Sequence, residues 1–412
     1  MKKVLGKLLR YFLIFFLGIF ITFNAFVLLS GRLYMYKGIV NTYLVGKMGP
    51  TIYDLEVFDN STLTPANNVE FVVHANANTA KISNDDLDFI KENKGRAFLV
   101  MQNDTIIYEQ YWDRHNQQEV SNSFSVAKTV VSMLIGIAVE DGDIKSLDDP
   151  VANYLPEFEG EKEKVTIRHL LMMASGLDWT ESGADPLSDN AESYYGWDLY
   201  GQTTSQELID EPGKVFRYQS GNSQLLAFVL EAATGKEFGE YADEKIWKRV
   251  GTTSNAYWSL DREGGDEKAF CCMYSTARDF ARLGQLFLNE GKFNGEQVVP
   301  AWYIKEMAQP CDMVTENGLE NRQYGLHVWT YFGAGSPAVY FRGVAGQYII
   351  AIPDEDMVIV RIGEKRTEKY EIPDDKLKDK HFVLENNDES GHCLGLFRYI
   401  AIAKKIKSET EL

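Results

Sequence analysis

Cysteine and histidine are scarce in this chain, four and six among 412 residues. No Cys-x-x-Cys or His-x-x-His spacing occurs, so the residues that usually hold zinc never fall at ligand separations. A single Glu389-to-His392 spacing beside Cys393 lies in a polar, Asn-rich stretch without partner ligands, and reads as loop. A Gly-rich phosphate loop is missing. So is the Gly-x-Ser-x-Gly elbow, which argues against an α/β-hydrolase. Positive charge is short too: 42 Lys and Arg against 60 Asp and Glu leave a formal charge of −18. A polyanion would be repelled, and no basic stripe with interleaved aromatics offsets that, so nucleic acid is excluded as a partner. Low-complexity tracts are also absent, and 45% hydrophobic with 25% charged residues is a globular balance with ample material for a core.

What is present begins at the N-terminus. Lys2, Lys3, Lys7 and Arg10 precede an apolar run from Tyr11 to Ser30. A helix of that length spans about 30 Å, the hydrocarbon thickness of a bilayer. The basic cluster keeps residues 1–10 cytoplasmic and sends the rest across, with residues 11–30 as a transmembrane anchor. A cleaved signal peptide is the competing reading, but the run is long for one and no small-x-small site closes it. Residues 31–88 read as a tether and irregular lead-in, and residues 89–412 as the folded domain. An exported domain could hold a disulfide, for instance Cys311 with Cys271 or Cys272; sequence does not fix the pairing.

β-rich runs predict strands over Arg96–Met101 and Ile106–Trp112, joined by the hairpin signal Gln102-Asn103-Asp104-Thr105, and again over Tyr324–Tyr331, Ala338–Arg342, Gln347–Ile352 and Val358–Ile362. Helical spacing predicts Ser125–Glu140, Ile167–Ala174, Ser223–Thr234, Phe238–Val250, Thr276–Asn289 and Leu394–Lys405. Strands at both ends with helices between imply an α+β fold: one antiparallel sheet built from both ends of the domain, with a large helical insertion.

Three elements could carry chemistry. In Ser125-Val126-Ala127-Lys128, a helix starting at Ser125 puts Lys128 on the same face one turn later. A serine hydroxyl needs a neighbouring base, and lysine serves only if burial leaves it neutral. The helix N-terminus adds N–H groups for an oxyanion. Such a pair arises by chance about once in a chain this long, and an N-cap serine with a solvent-facing lysine is the plainer reading. Here Val126, Ala127 and Val130 improve the odds by surrounding the pair with apolar groups. The second element is Tyr218-Gln219-Ser220-Gly221-Asn222, where a tyrosine could relay a proton. One turn tyrosine among 22 says little alone. The third, Phe341-Arg342-Gly343-Val344-Ala345-Gly346-Gln347, places glycines where a strand could approach a ligand closely. His169 reads as structural rather than as a triad base, and the other histidines have no supporting pattern.

In this order, the three elements resemble the serine β-lactamase and penicillin-binding-protein superfamily, in its class C β-lactamase-like branch. The likeness runs from about Arg96 to Lys405 and includes Leu170-Leu171-Met172-Met173-Ala174-Ser175-Gly176-Leu177 and Thr276-Ala277-Arg278-Asp279-Phe280-Ala281-Arg282-Leu283-Gly284. Its wording is most similar to the 6-aminohexanoate-dimer hydrolase type. The resemblance implies a β-lactamase/transpeptidase-like fold that needs no metal or organic cofactor. It implies acylation at Ser125, general acid and base work shared by Lys128 and Tyr218, and an oxyanion hole from the Ser125 and Val344 N–H groups. Ser220, Asn222, Phe341, Arg342 and Gly343 become substrate-binding positions. An amide or ester, small or peptide-like, is the implied substrate, with a D-alanyl peptidase or β-lactamase as the alternative. A non-catalytic, membrane-tethered binding module is the alternative of another class. The implied location is a bacterial inner (cell) membrane, single-pass, with the catalytic domain periplasmic or extracellular. Two departures stand out. Ser220 stands where many relatives have asparagine, and Phe341 where β-lactamases carry a cation, while Arg342 alternates to the other face of its strand. The insertion Ser182–Gly201, with Tyr194, Tyr195, Trp197 and Tyr200, is expected either to line the pocket or to pack upon itself.

Overall fold

The computed structural model describes residues 2–66, 68–333 and 337–410, with the Lys2 and Lys3 side chains outside the described set. The first helix, α1 (Lys2–Ser30), is apolar from Val4 to Ser30 and almost wholly exposed, as a segment made for a non-aqueous solvent would be. A turn through Gly31, at φ +72°, leads into α2 (Tyr34–Asn41).

The main sheet has seven strands, in the order Trp329–Tyr331, Ala338–Gly343, Gln347–Ile352, Met357–Gly363, Gly95–Gln102, Thr105–Tyr111 and Val72–Val73. The first six are antiparallel. The edge strand Val72–Val73 pairs in parallel, an addition to the expected antiparallel sheet. The two chain ends meet where Met357–Gly363 lies against Gly95–Gln102, with Ile359 opposite Val100. Both faces are covered, so these strands read as near-continuous apolar runs rather than alternations. Phe287 of the helix Ala277–Leu288 packs on Phe341 on one face. Tyr399 of the C-terminal helix Leu394–Thr410 packs on Phe98 and Tyr348 on the other, beside α3 (Asn84–Glu92), whose Phe89 also meets Tyr399. The helical insertion contributes α4 (Ala127–Asp141) and the helix Ser220–Thr234, packed together.

Residues 31–88 are built into the domain over much of their length, and do not form the expected tether. Ile52, Phe58 and Leu63 are buried because this stretch supplies a strand, Asn60–Leu63, to a second sheet with Ala256–Ser259, Met273–Ser275 and Ser121–Asn122. The disulfide that sequence left open does not involve Cys311. Cys271 bonds to its neighbour Cys272, while Cys311 and Cys393 are free thiols.

Candidate active site

The short strand Ser121–Asn122 ends in a constrained turn. Its backbone is held from both sides, as the Asn122 N–H donates to Ile52 O (2.9 Å) and the Ser123 N–H to Met273 O (2.8 Å). Phe124 then adopts φ +47°, uncommon for a bulky residue, and its N–H is held by Asn122 Oδ1 at 2.8 Å. This turn presents Ser125 within a 3-10 turn, Phe124–Val126, that leads directly into α4. Lys128 follows one turn later on the same face.

Lys128 is 1% exposed. Its ammonium nitrogen donates to Ser125 Oγ (3.1 Å), Ser220 Oγ (3.1 Å) and Phe270 O (2.6 Å), all neutral acceptors. The rings of Tyr218 and Phe270 close over it at 5.2 and 5.7 Å. Burial therefore lowers its pKa to about 8, against a smaller opposing pull from Glu181. At pH 7 roughly one molecule in ten then carries the free amine, far more than an exposed lysine would.

Tyr218 reaches the same point from the helical insertion. Its hydroxyl hydrogen-bonds with Ser125, and burial holds its pKa above the usual tyrosine range. The ring is fixed by stacking on Trp329 (5.7 Å between centroids) and by the edge of Tyr324 (6.0 Å). Ser220 begins the next helix and links Lys128 to a carboxylate that sequence reading did not single out. Its hydroxyl donates to Glu181 Oε1 (2.8 Å) while accepting from Lys128. Glu181 Oε2 in turn accepts from the Ser220 N–H (2.7 Å) and from Trp179 Nε1 (2.8 Å). Among the described residues no other acid accepts from Ser220 Oγ, and no local pattern in the sequence marks Glu181.

The strand Ala338–Gly343 closes the opposite side. At Gly343 a Cβ would sit 2.2 Å from Ser123 O, so only glycine lets this strand lie against the Ser125 turn. The backbone beyond is pinned: Gln347 Nε2 donates to Val344 O (2.9 Å), and Arg361 Nη1 to Ala345 O (3.0 Å) and Gly346 O (2.6 Å). Phe341 and Arg342 do take opposite faces. Phe341, expected at the substrate, instead faces the core against Phe287, because that face of the strand is covered by a helix. Arg342 edges the cleft, its guanidinium 3.4 Å over the Trp329 ring and donating to Gly391 O (3.1 Å).

Between these walls lies a cavity of about 640 Å³ lined by Ser125, Tyr218, Glu181, Arg342, Gly343 and Val344, within the size range of small-molecule sites. Arg366 and Lys369 add positive charge to its rim. Asn222, expected to bind substrate, is buried one turn into its helix, where its Oδ1 accepts from Ser175 Oγ (2.8 Å). The insertion lines the cavity through Gly183 and Asn190 and not through its aromatics. Tyr194 and Tyr195 pack on Phe58, Tyr200 on Phe228, and Lys37 sits over Trp197. Histidines serve structure. His169 completes the cap of the helix Ile167–Leu171, and His327 is buried between Ser223 Oγ and Leu171 O. His392, read as a loop residue, is buried with Nδ1 on the Tyr340 hydroxyl (2.6 Å).

Comparison with known proteins places the chain among relatives of similar sequence and fold. The 6-aminohexanoate-dimer hydrolase of Paenarthrobacter ureafaciens is 25% identical over 343 residues, covering 78% of this chain and 85% of that protein. An uncharacterized protein of Alkalihalophilus pseudofirmus is 29% identical over 291 residues, covering 65% and 83%. A solved Bacillus anthracis structure, provisionally named a 6-aminohexanoate-dimer hydrolase, superposes with a TM-score of 0.71 at 24% identity, covering 87% of this chain and 94% of that one. Residues 88–380 match the family model described as Beta-lactamase, well over half the chain. The chain belongs to the beta-lactamase family, the serine-hydrolase superfamily of β-lactamase and penicillin-binding-protein type.

Proposed function

We propose that the protein hydrolyses an amide or ester through an acyl-Ser125 intermediate. The carrying observation is the buried Lys128 amine, 3.1 Å from Ser125 Oγ, with its pKa lowered to about 8. In its neutral form it takes the hydroxyl proton as Ser125 Oγ attacks the substrate carbonyl. The negative charge passes to the carbonyl oxygen, held by the Ser125 and Val344 N–H groups. As the tetrahedral intermediate collapses, Tyr218 and Lys128 deliver the proton to the departing amine or alcohol. Water then attacks the acyl carbon, gives its proton back through the same pair, and frees Ser125. No step calls for a cofactor. A fluorophosphonate probe tests the nucleophile: covalent labelling found by mass spectrometry on Ser125 and lost in Ser125→Ala is expected. A folded wild-type protein that remains unlabelled refutes it, and would leave a non-catalytic ligand-binding module.

A second reading keeps the fold and makes the enzyme a D-alanyl peptidase or β-lactamase. Arg342, Arg366 and Lys369 on the cleft favour it, since they offer positive charge to a substrate carboxylate despite Phe341. Rapid nitrocefin turnover or a stable penicillin adduct would move this reading ahead. Slow or no reaction, alongside Ser125-dependent cleavage of p-nitrophenyl esters or short amides, favours the first.

As for location, α1 is proposed to anchor the protein as a single span in a bacterial cell membrane, with its basic end cytoplasmic and the hydrolase domain outside. The apolar Val4–Ser30 run, with mean hydropathy 2.6, supports the span. Lys7 and Arg10 support the direction.

A further inference from the structure

Although the chain holds 60 acidic residues, the first of them is Asp54. The acid-free stretch thus continues more than twenty residues past the end of α1, through α2 and the 3-10 turn Tyr43–Val45. In the structure this stretch does not rise away from α1. After the reversal at Gly31, Tyr36 of α2 turns back to α1, its hydroxyl donating to Asn24 Oδ1 (2.7 Å) and its ring edge-on to Phe23. Asn24 lies six residues before the end of α1, or ~9 Å down the helix axis. An anchor that ends near Ser30 therefore brings α2 back toward the bilayer surface and not away from it.

The residues beyond α2 suit that surface. Tyr43, Leu44, Val45 and Met48 are all exposed, Leu44 at 72% and Met48 at 88%, with Val40 and Trp197 exposed beside the same helix. A soluble surface rarely gathers large apolar side chains so closely without a partner. Tyrosine and tryptophan favour the zone where apolar chains meet water.

We infer that residues 40–48 form a lipid-binding collar that seats the hydrolase domain on the bilayer surface, with Leu44 and Met48 entering the acyl boundary. The occupant is a lipid surface because the patch continues from α1, carries no acid, and follows α2, whose Tyr36 is held against α1 at Asn24. The proposal rests on the reading of α1 as a membrane anchor. Seating would also fix the cleft. Arg32 Nη1 donates to Leu187 O (3.1 Å) and pairs with Glu192, and the Tyr34 hydroxyl donates to Pro186 O (3.1 Å). These bonds fasten the junction of α1 and α2, from which the collar follows, to the loop whose other side, at Glu181 and Asn190, lines the cavity.

The test uses the full chain in phosphatidylcholine–phosphatidylglycerol vesicles, in a Cys311→Ser background. Single cysteines replace Leu44, Met48, Phe16 and Leu384 in turn, each carrying an environment-sensitive fluorophore. Lipids bearing a nitroxide near the headgroup should blue-shift and strongly quench the probes at 44 and 48, leaving the exposed reference at 384 unchanged. The probe at 16, inside α1, should respond to a nitroxide near the bilayer centre. If 44 and 48 behave like 384 while 16 is quenched, the collar is refuted and the anchor stands. If 16 is not quenched, both fail. Probes at 44 and 48 that are shielded from water yet not quenched by lipid would point to a protein partner, and would also overturn the proposal.

Discussion

Burial sets how readily Lys128, surrounded by neutral acceptors, gives up a proton, and the nearest charge opposes that effect. That charge is Glu181, two hydrogen bonds away through Ser220, and it favours the ammonium form. If Lys128 is the base, kcat/KM for an ester should rise with pH through about 8 as the amine loses its proton. In Glu181→Gln the ammonium form loses support, so the rising limb should move to lower pH, by up to about one unit. A limb that moves upward, or stays put while Glu181→Gln binds and folds normally, would sink this role for the carboxylate. Lys128→Ala should cost about 10²–10⁴-fold in kcat/KM. Ser125, Lys128 and Tyr218 could be singled out from sequence because helix geometry alone makes i and i+3 neighbours, and the ordered likeness supplied the tyrosine. Glu181 could not. It stands in a loop among 60 acids, and only the packing of that loop against the helix Ser220–Thr234 brings it to Lys128.

At the level of the element, the strand Ala338–Gly343 and the Ser125 turn form one close-fitting unit. The Cβ of alanine at 343 would press on Ser123 O, backbone that the Met273 hydrogen bond holds in place. Gly343→Ala should thus cost about 1–3 kcal/mol in stability, by forcing the strand and turn apart. It should also cost about 10²–10³-fold in kcat, since it moves the Val344 N–H from the oxyanion position. Phe341→Leu offers the contrast. Its ring lies against Phe287 in the core, so stability should fall while KM stays close to wild type. Thermal melts with ester kinetics on both variants check the pair; equal kinetic damage in both would refute the assignment of faces. Strand alternation correctly sent Phe341 and Arg342 to opposite sides. Which side met the cleft depended on the helix Ala277–Leu288 covering the sheet, a long-range fact no alternation rule contains. Asn222 failed for a related reason: one helical turn past Tyr218 already points into the interior, toward Ser175.

For the whole molecule, the sheet joins strands from either side of the insertion, and the chain's last helix seals it. Five strands of the main sheet were legible because apolar runs of six to eight residues bounded by turns announce themselves, whereas Val72–Val73, with two residues, gave no signal. The second sheet was not legible, since its strands run only two to four residues, too short for a period to show. That sheet matters, because through it Ile52 and the strand Asn60–Leu63 brace the Ser125 turn and make the lead-in part of the domain. The helix Leu394–Thr410 touches none of the proposed reacting groups, yet buries Leu396, Ile400, Ile402 and Ile406 beside Tyr399. Four such side chains are worth about 6–12 kcal/mol of burial. Whole domains are stable by about 5–15 kcal/mol. Removing residues 394–412 should therefore abolish the folded state, not merely loosen one end, and with it all labelling at Ser125. Circular dichroism and fluorophosphonate labelling of the truncated chain check this together. A truncated protein that keeps its melting transition and its labelled serine would mean the sheet stands without its C-terminal cover.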